Sequence, residues 1–350
     1  MKKILYMASA VAFMACGSSK TASNAEANVD QAAKYAASIT AKDLGTHLFI
    51  YASDEFAGRE TGEPGQKIAV EYLKDFYVKE GIVSPLGGDD YFQEVPAEWI
   101  NKNVRRGSYK DSENVVAFIK GTEKPDEIVV ISAHLDHEGI KDGEIYNGAD
   151  DDGSGTVAML EIAQAFQMAA KAGKGPKRSI LFLHVTGEEK GLLGSKYYTD
   201  VDPLFPLANT VCDLNIDMVG RIDDRHKAAP NYVYLIGSDK LSTELHNVSE
   251  AVNKKYMNIN LDYKYNDEND PNRFYYRSDH YNFAKNNVPI IFYFNGTHAD
   301  YHKPSDTPDK INYELLENRT RLVFHTAWEV ANMDTRIVAD KATTAAAPAK

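Results

Sequence analysis

Cysteine is almost missing from this chain: 350 residues contain two, Cys16 and Cys212. Small disulfide-stapled architectures are excluded, and a thiolate-rich metal site has no ligands to draw on. Positive charge is also in deficit, with 39 Lys and Arg against 51 Asp and Glu and a formal net charge of −12. The basic stripe that grips a phosphate backbone is lacking, which argues against a nucleic-acid partner. The apolar stretch from Ile4 to Ala15 is too short to span a bilayer as a helix. What remains is the composition of a globular protein, 43% hydrophobic and long enough to fill a sizeable core.

The chain ends differ from its middle. Lys2-Lys3, the apolar stretch that follows, small Ala15 and then Cys16 form a targeting pattern. Phe-Met-Ala-Cys16 resembles a bacterial lipoprotein signal, which implies removal of residues 1–15, acylation of Cys16, export, and anchoring to a bacterial membrane on a periplasmic or cell-surface face. Residues 16–32 are polar and small, suited to a flexible tether. Residues 336–350 form an Ala- and Thr-rich tail expected to be disordered. Residues 33–335 show no repeat or compositional break and are expected to form one domain. Within them Cys212 sits in an apolar run, as a small core residue rather than a nucleophile.

Helical and strand-like segments alternate through that domain, the pattern of a layered α/β fold. Lys67 to Glu80 carries one apolar face, and further helices are predicted over Ser154–Lys171, with Ser154 as cap, Lys240–Tyr256 and Asn312–Met333. Asn114–Lys120 and Glu127–Ala133 flank Gly121–Asp126 and read as two strands joined by a short turn.

Four apolar runs end in residues that bind metals: Ile128 to His137, Ser179 to the paired Glu188-Glu189, Thr210 to Met218, and Val288 to Phe294, with His302 soon after. Open α/β sheets place their ligand sites beyond the carboxyl ends of the strands. A fifth segment, Gly148-Ala-Asp-Asp-Asp-Gly-Ser-Gly155, sets three carboxylates before a helix. Imidazole and carboxylate without thiolate suit Zn²⁺ or a similar divalent ion. Two ions need a bridging carboxylate, which the acidic loop can supply, though residue types alone leave Asp150, Asp151 and Asp152 equivalent. Paired glutamates offer one metal ligand and one general base.

In order and spacing, five blocks resemble the co-catalytic di-zinc aminopeptidases related to bacterial leucyl aminopeptidase, glutamate carboxypeptidase and glutaminyl cyclase. They are Ala-His134-Leu-Asp136, Gly-Ala-Asp-Asp151-Asp-Gly-Ser-Gly, Gly-Glu188-Glu189-Lys-Gly-Leu-Leu-Gly-Ser, Asn-Ile-Asp217-Met-Val-Gly-Arg221 and Asp-Tyr301-His302-Lys-Pro-Ser-Asp-Thr. Phe-Ala-Gly-Arg59-Glu-Thr-Gly and Arg277-Ser-Asp279-His280 add flanking agreement. The resemblance implies a three-layer αβα sandwich around a central mixed, mostly parallel sheet, as in zinc exopeptidases. It implies that Asp151 bridges two Zn²⁺ ions, replaceable by Co²⁺ or Mn²⁺, with His134 and Asp217 completing one site and Glu189 and His302 the other. Asp136 would accept a hydrogen bond from His134, a cis peptide would join Asp150 to Asp151, and Glu188 would act as base on a water bridged by both ions. Tyr301, Arg221 and Arg277 are candidate substrate contacts.

The function so implied is an exported aminopeptidase acting on peptides. Its alternatives are a carboxypeptidase or dipeptidase of the same family, a glutaminyl cyclase-like cyclotransferase, and a noncatalytic binding lipoprotein. Side-chain preference and oligomeric state are not encoded in these motifs.

Overall fold

Residues 30–342 are described by a computed structural model. The leader, Cys16, most of the tether and the last eight residues lie outside them. In chain order the strands are β1 (Phe92–Val95), β2 (Ser112–Ile119), β3 (Lys124–His134), β4 (Gly139–Lys141), β5 (Glu144–Tyr146), β6 (Arg178–Val185), β7 (Thr210–Ile216), β8 (Tyr232–Ile236), β9 (Asn260–Asp262) and β10 (Ile290–Phe294). Eight of them form one sheet in the order β1-β2-β6-β3-β7-β10-β8-β9, while β4 and β5 pair separately. The central β6-β3-β7-β10 pairs are parallel, and β1-β2, β2-β6 and β10-β8 are antiparallel.

The helices are α1 (Gln31–Ala36), α2 (Ala41–Tyr51), α3 (Pro64–Glu80), α4 (Ala97–Asn103), α5 (Gly155–Lys171), α6 (Leu193–Asp200), α7 (Thr243–Val252), α8 (His280–Ala284) and α9 (Tyr313–Asn332). Alternation along β3 sends its side chains into two layers. Val129, Ile131 and Ala133 join a core with residues of α1, α2, α3, α5, α7 and α9, whereas Ile128 and Val130 pack with Tyr198 of α6 and Phe283 of α8. The result is a sheet covered on both faces, which is why its central strands read as unbroken apolar runs. Cys212 is buried in β7, where burial drives its thiol pKa upward and keeps it inert.

Strands β2 and β3 are joined by a short turn, as expected, and β6 lies between them in the sheet and pairs with both. All eight residues of β6 are buried, so it takes the position with a strand on either edge. Ser154 does not cap α5; Asp152 Oδ1 accepts from Gly155 N at 2.9 Å, and Ser154 Oγ donates back to Asp150 O at 2.8 Å. The folded body also exceeds 33–335 at both ends, since α1 begins at Gln31 and Ile337 is buried. Tyr35, packed on the Trp328 ring, and Ile337 anchor these margins.

Arg59 links the first helices to the loops at the carboxyl end of the sheet. It is 1% exposed and donates to Leu135 O, Tyr51 O, Asn147 O and Gly148 O at 2.8 to 3.1 Å, with its guanidinium 4.7 Å from the Tyr51 ring centre. Arg59→Met keeps bulk but strips four carbonyls of a charged donor. Denaturant unfolding is expected to show a loss of at least about 3 kcal/mol, given about 1–3 kcal/mol per buried group left unpaired; a loss under about 1 kcal/mol would contradict this staple role.

Candidate metal centre

The strand ends bring the expected ligands to one cleft. His134 is the last residue of β3, Asp217 follows β7 directly, Glu188 and Glu189 follow β6, and Asp151 and His302 come from the loops before α5 and after β10. Asp151 holds the middle. Its Oδ1 lies 3.1 Å from His134 Nε2 and its Oδ2 lies 3.0 Å from His302 Nε2. On the first side Asp217 Oδ1 is 3.7 Å from His134 Nε2; on the second Glu189 Oε2 is 3.4 Å from His302 Nε2. Thus the two oxygens of one carboxylate face two separate ligand groups.

Several of these atoms are buried without a hydrogen-bond partner, among them His134 Nε2, Asp151 Oδ2 and Glu189 Oε1. Buried polar atoms in proteins are almost always satisfied, so a cluster of orphans converging at 3 to 4 Å is the mark of a cation site. The donor set of nitrogen and oxygen fits a divalent ion of the zinc class.

The remaining acids hold this arrangement in place. Asp152 Oδ2 accepts from His134 N at 3.1 Å and its Oδ1 from Met218 N at 3.1 Å, joining the ends of β3 and β7. Asp150 accepts from Gly220 N at 2.7 Å and Asn295 Nδ2 at 3.0 Å and meets His298 Nε2 at 3.1 Å. His298 therefore faces Asp150. Asp306 Oδ2 receives the main-chain N–H groups of Asp150 and Asp151 at 2.9 and 3.2 Å. Ser278 Oγ donates to Asp217 Oδ2 at 2.6 Å, leaving Asp217 Oδ1 for His134's side of the site. Asp306 and Ser278 lie within the motif blocks, but no local pattern shows which atoms they hold.

Four details differ from expectation. The cis peptide joins Asp151 to Asp152, not Asp150 to Asp151. Asp136 holds His134 Nδ1 through its main-chain oxygen at 2.9 Å, while its carboxylate stands 3.9 Å away and accepts from Thr61 Oγ1 at 2.8 Å and Glu188 N at 3.1 Å. The side chain is too occupied by these two donors to turn toward the imidazole. Arg221 is committed elsewhere, to Asp300 Oδ2 at 2.7 Å and Asp306 Oδ1 at 3.5 Å. His137, absent from the expected ligand set, is fully buried with Nδ1 2.8 Å from Glu189 Oε1.

Beside the ligands lies a pocket walled by Met218, Phe274, Phe292 and Phe294, with Glu188, Tyr301 and Arg277 at its polar side. Arg277 donates to Tyr301 OH at 3.0 Å and rests 4.9 Å from the Phe274 ring centre, and the Tyr301 ring stacks on His302 at 3.9 Å. A roomier depression near Asp267 and Tyr276 is lined by one face of an exposed loop and brings no imidazole into its lining.

Charge crowding gives the metal-free site a distinct pH response. Burial, then the charge of Asp151, pushes Glu189 up to about 8, and burial also drives Glu188 and Asp152 well above the usual carboxyl range. A carboxyl with a raised folded pKa contributes stability that is complete below its unfolded value and is lost as pH rises through the folded one. The chelated protein is therefore expected to lose thermal stability between about pH 5 and pH 8.5, and stabilisation by added divalent ion to grow over that range. Calorimetry with chelator and with Zn²⁺ checks this; a metal-free stability flat in pH would contradict it.

The chain is similar to known peptidases. A probable glutamate carboxypeptidase of Arthroderma benhamiae is 39% identical over 116 residues, covering 33% of this chain and 15% of that protein. Leupeptin-inactivating enzyme 1 of Streptomyces exfoliatus is 26% identical over 76% of this chain and 50% of its own length. The chain thus spans half or less of these curated relatives. The structure of BSAP, a zinc aminopeptidase from Bacillus subtilis, superposes with a TM-score of 0.63 at 16% identity, covering 86% of this chain and 98% of that one, and shares the fold. The profile of peptidase family M28 matches residues 114–327, from β2 through most of α9, and the chain belongs to that family.

Proposed function

We propose that the protein is an exported aminopeptidase that works with two zinc ions. The observation that carries the reading is the Asp151 carboxylate, with one oxygen toward His134 and the other toward His302. One ion would be held by His134, Asp151 and Asp217, the other by Asp151, Glu189 and His302. Bound zinc supplies Lewis acidity, polarising a carbonyl and acidifying a water. This chain's own residues do the rest. Asp136 fixes the turn on which Glu188 stands by accepting its main-chain N–H, and Glu188 lines the pocket, where it can take a proton from water and return it to the leaving amine. The apolar wall suits the side chain of the residue being released, and Tyr301, which lines the same pocket, would donate its hydroxyl to the polarised carbonyl oxygen.

One observation favours a second reading. Arg277 has no carboxylate partner among the described residues, although it lines the cleft. A free cation there would also suit a carboxypeptidase or a dipeptidase. Product analysis on one peptide set with free and acetylated N-termini separates them. Loss of N-terminal residues from free-amine peptides only is the expected result; indifference to the acetyl group moves the assignment to the carboxyl end, and no cleavage moves it to cyclisation or binding. Glu188→Gln is expected to lower kcat by about 10²- to 10⁴-fold with metal content unchanged, the range of a general base. Activity near the parent level would remove Glu188 from this role.

Export and a lipid anchor at Cys16 belong to the same proposal and rest on the leader pattern of residues 1–16. The full-length chain is expected in the membrane fraction with labelled fatty acid attached, and Cys16→Ala in the soluble exported fraction. Unlabelled parent protein would refute the anchor.

A further inference from the structure

His137 lies three residues past His134, and its position is tightly fixed. Its main-chain N–H donates to Arg59 O at 3.3 Å. Its ring fills space that only a glycine leaves open: at Gly148, with φ of +52°, an added Cβ would come within 2.4 Å of His137 Cγ and 2.2 Å of Asp151 O. The ring is fully buried, with Nδ1 2.8 Å from Glu189 Oε1 and 3.9 Å from Asp151 Oδ2.

A separation of 2.8 Å would ordinarily be a hydrogen bond, yet neither His137 Nδ1 nor Glu189 Oε1 has a hydrogen-bond partner, because the two do not lie along a donor direction. Elsewhere in the molecule His226 Nδ1 and Asp223 Oδ1, also at 2.8 Å, make a well-aligned bond. His134 Nε2 behaves like His137 Nδ1, lying 3.1 Å from Asp151 Oδ1 and still unpartnered. Close approach without alignment is what groups show when each is aimed at a shared cation instead of at one another. Donors on one zinc, about 2.0 to 2.2 Å from it, stand about 3.3 to 3.6 Å apart at tetrahedral angles, a spacing that the 2.8 and 3.9 Å separations of His137 Nδ1 from Glu189 and Asp151 bracket.

We propose that His137 is a ligand, through Nδ1, of the same cation as Glu189 and His302. The inference rests on the two-ion reading above and adds an asymmetry to it. One ion has three protein donors, His134, Asp151 and Asp217, and keeps a position open. The other has four, Asp151, Glu189, His302 and His137, the count of a closed, tightly retained site. The three-donor ion is then the first to leave.

The test is metal binding, with Co²⁺ as a visible probe of ligand geometry. The metal-free full chain is titrated with Co²⁺, then dialysed against graded chelator, beside His137→Ala, His137→Asn and His302→Ala. Circular dichroism of the metal-free forms identifies the folded variants. The parent is expected to bind two ions and release them in two steps. His137→Ala and His302→Ala are expected to weaken the same ion, by at least about tenfold, and to change the same absorption band. Two ions in the parent with affinity and spectrum unchanged in a folded His137 variant would overturn this proposal and leave the two-ion reading intact. A parent that binds a single ion would overturn both.

Discussion

Six carboxylates, Asp150, Asp151, Asp152, Glu188, Glu189 and Asp217, share one cleft that is largely closed to water, and like charges so confined cannot all ionise without compensation. The structure meets this constraint in two ways. Asp150 and Asp152, with Asp306 behind them, turn their oxygens to main-chain N–H groups and, for Asp150, to His298, so they tie the ends of β3, β7 and β10 together. Asp151, Glu189 and Asp217 turn oxygens inward toward imidazoles. The first group is neutralised by the fold; the second needs a cation to be complete.

The scaffold that holds these loops uses buried arginines as staples on the main chain. Arg59 ties the loop before α5 to the end of β3. Arg319, 1% exposed on α9, donates to Tyr232 O, Val219 O and Arg221 O, fixing the segment after β7. Arg178 fastens the start of β6 to the end of α9 through Val330 O and Met333 O. A guanidinium presents five donors in a planar fork, so one side chain satisfies carbonyls from several segments at once. The carbonyls so used lie in loops and at or near the ends of strands and helices, where main-chain groups would otherwise be buried unpaired.

Of the five proposed ligand positions, His134, Glu189 and Asp217 stand out in the sequence because a metal-binding residue type meets the end of an apolar strand, while Asp151 and His302 stand out through their loop motifs, and these signals are local. What failed to be read was decided across the chain. Arg221 closes one motif block and Arg277 opens another, but the acids that occupy Arg221 come from a loop 79 and 85 positions away, and among the described residues none arrives at Arg277. His137 looked ordinary because its significance depends on Gly148 and Glu189. The separation of β2 from β3 depended on β6, a segment read correctly as a strand but whose place in the sheet no local pattern records.

The direction in which a peptide enters follows from where charge and exposure lie. His134 and Asp217 are sealed in, whereas the His302 side chain is 38% exposed, so the cleft opens on the side of His302, Tyr301 and Arg277. Carboxylates dominate the interior, and Arg277, free of any acid among the described residues, stands at the mouth. A peptide is itself a dipole with an ammonium at one end and a carboxylate at the other, and the proposed aminopeptidase would take the ammonium inward, toward carboxylate oxygens that the ions leave uncompensated. Under the proposed aminopeptidase function, that orientation would make the interior select for a free N-terminus. Arg277 then meets the far carboxylate only when the peptide is short enough to bring it back to the rim. The unpaired arginine is thus compatible with an aminopeptidase that favours short substrates, and it need not reverse the polarity of the site.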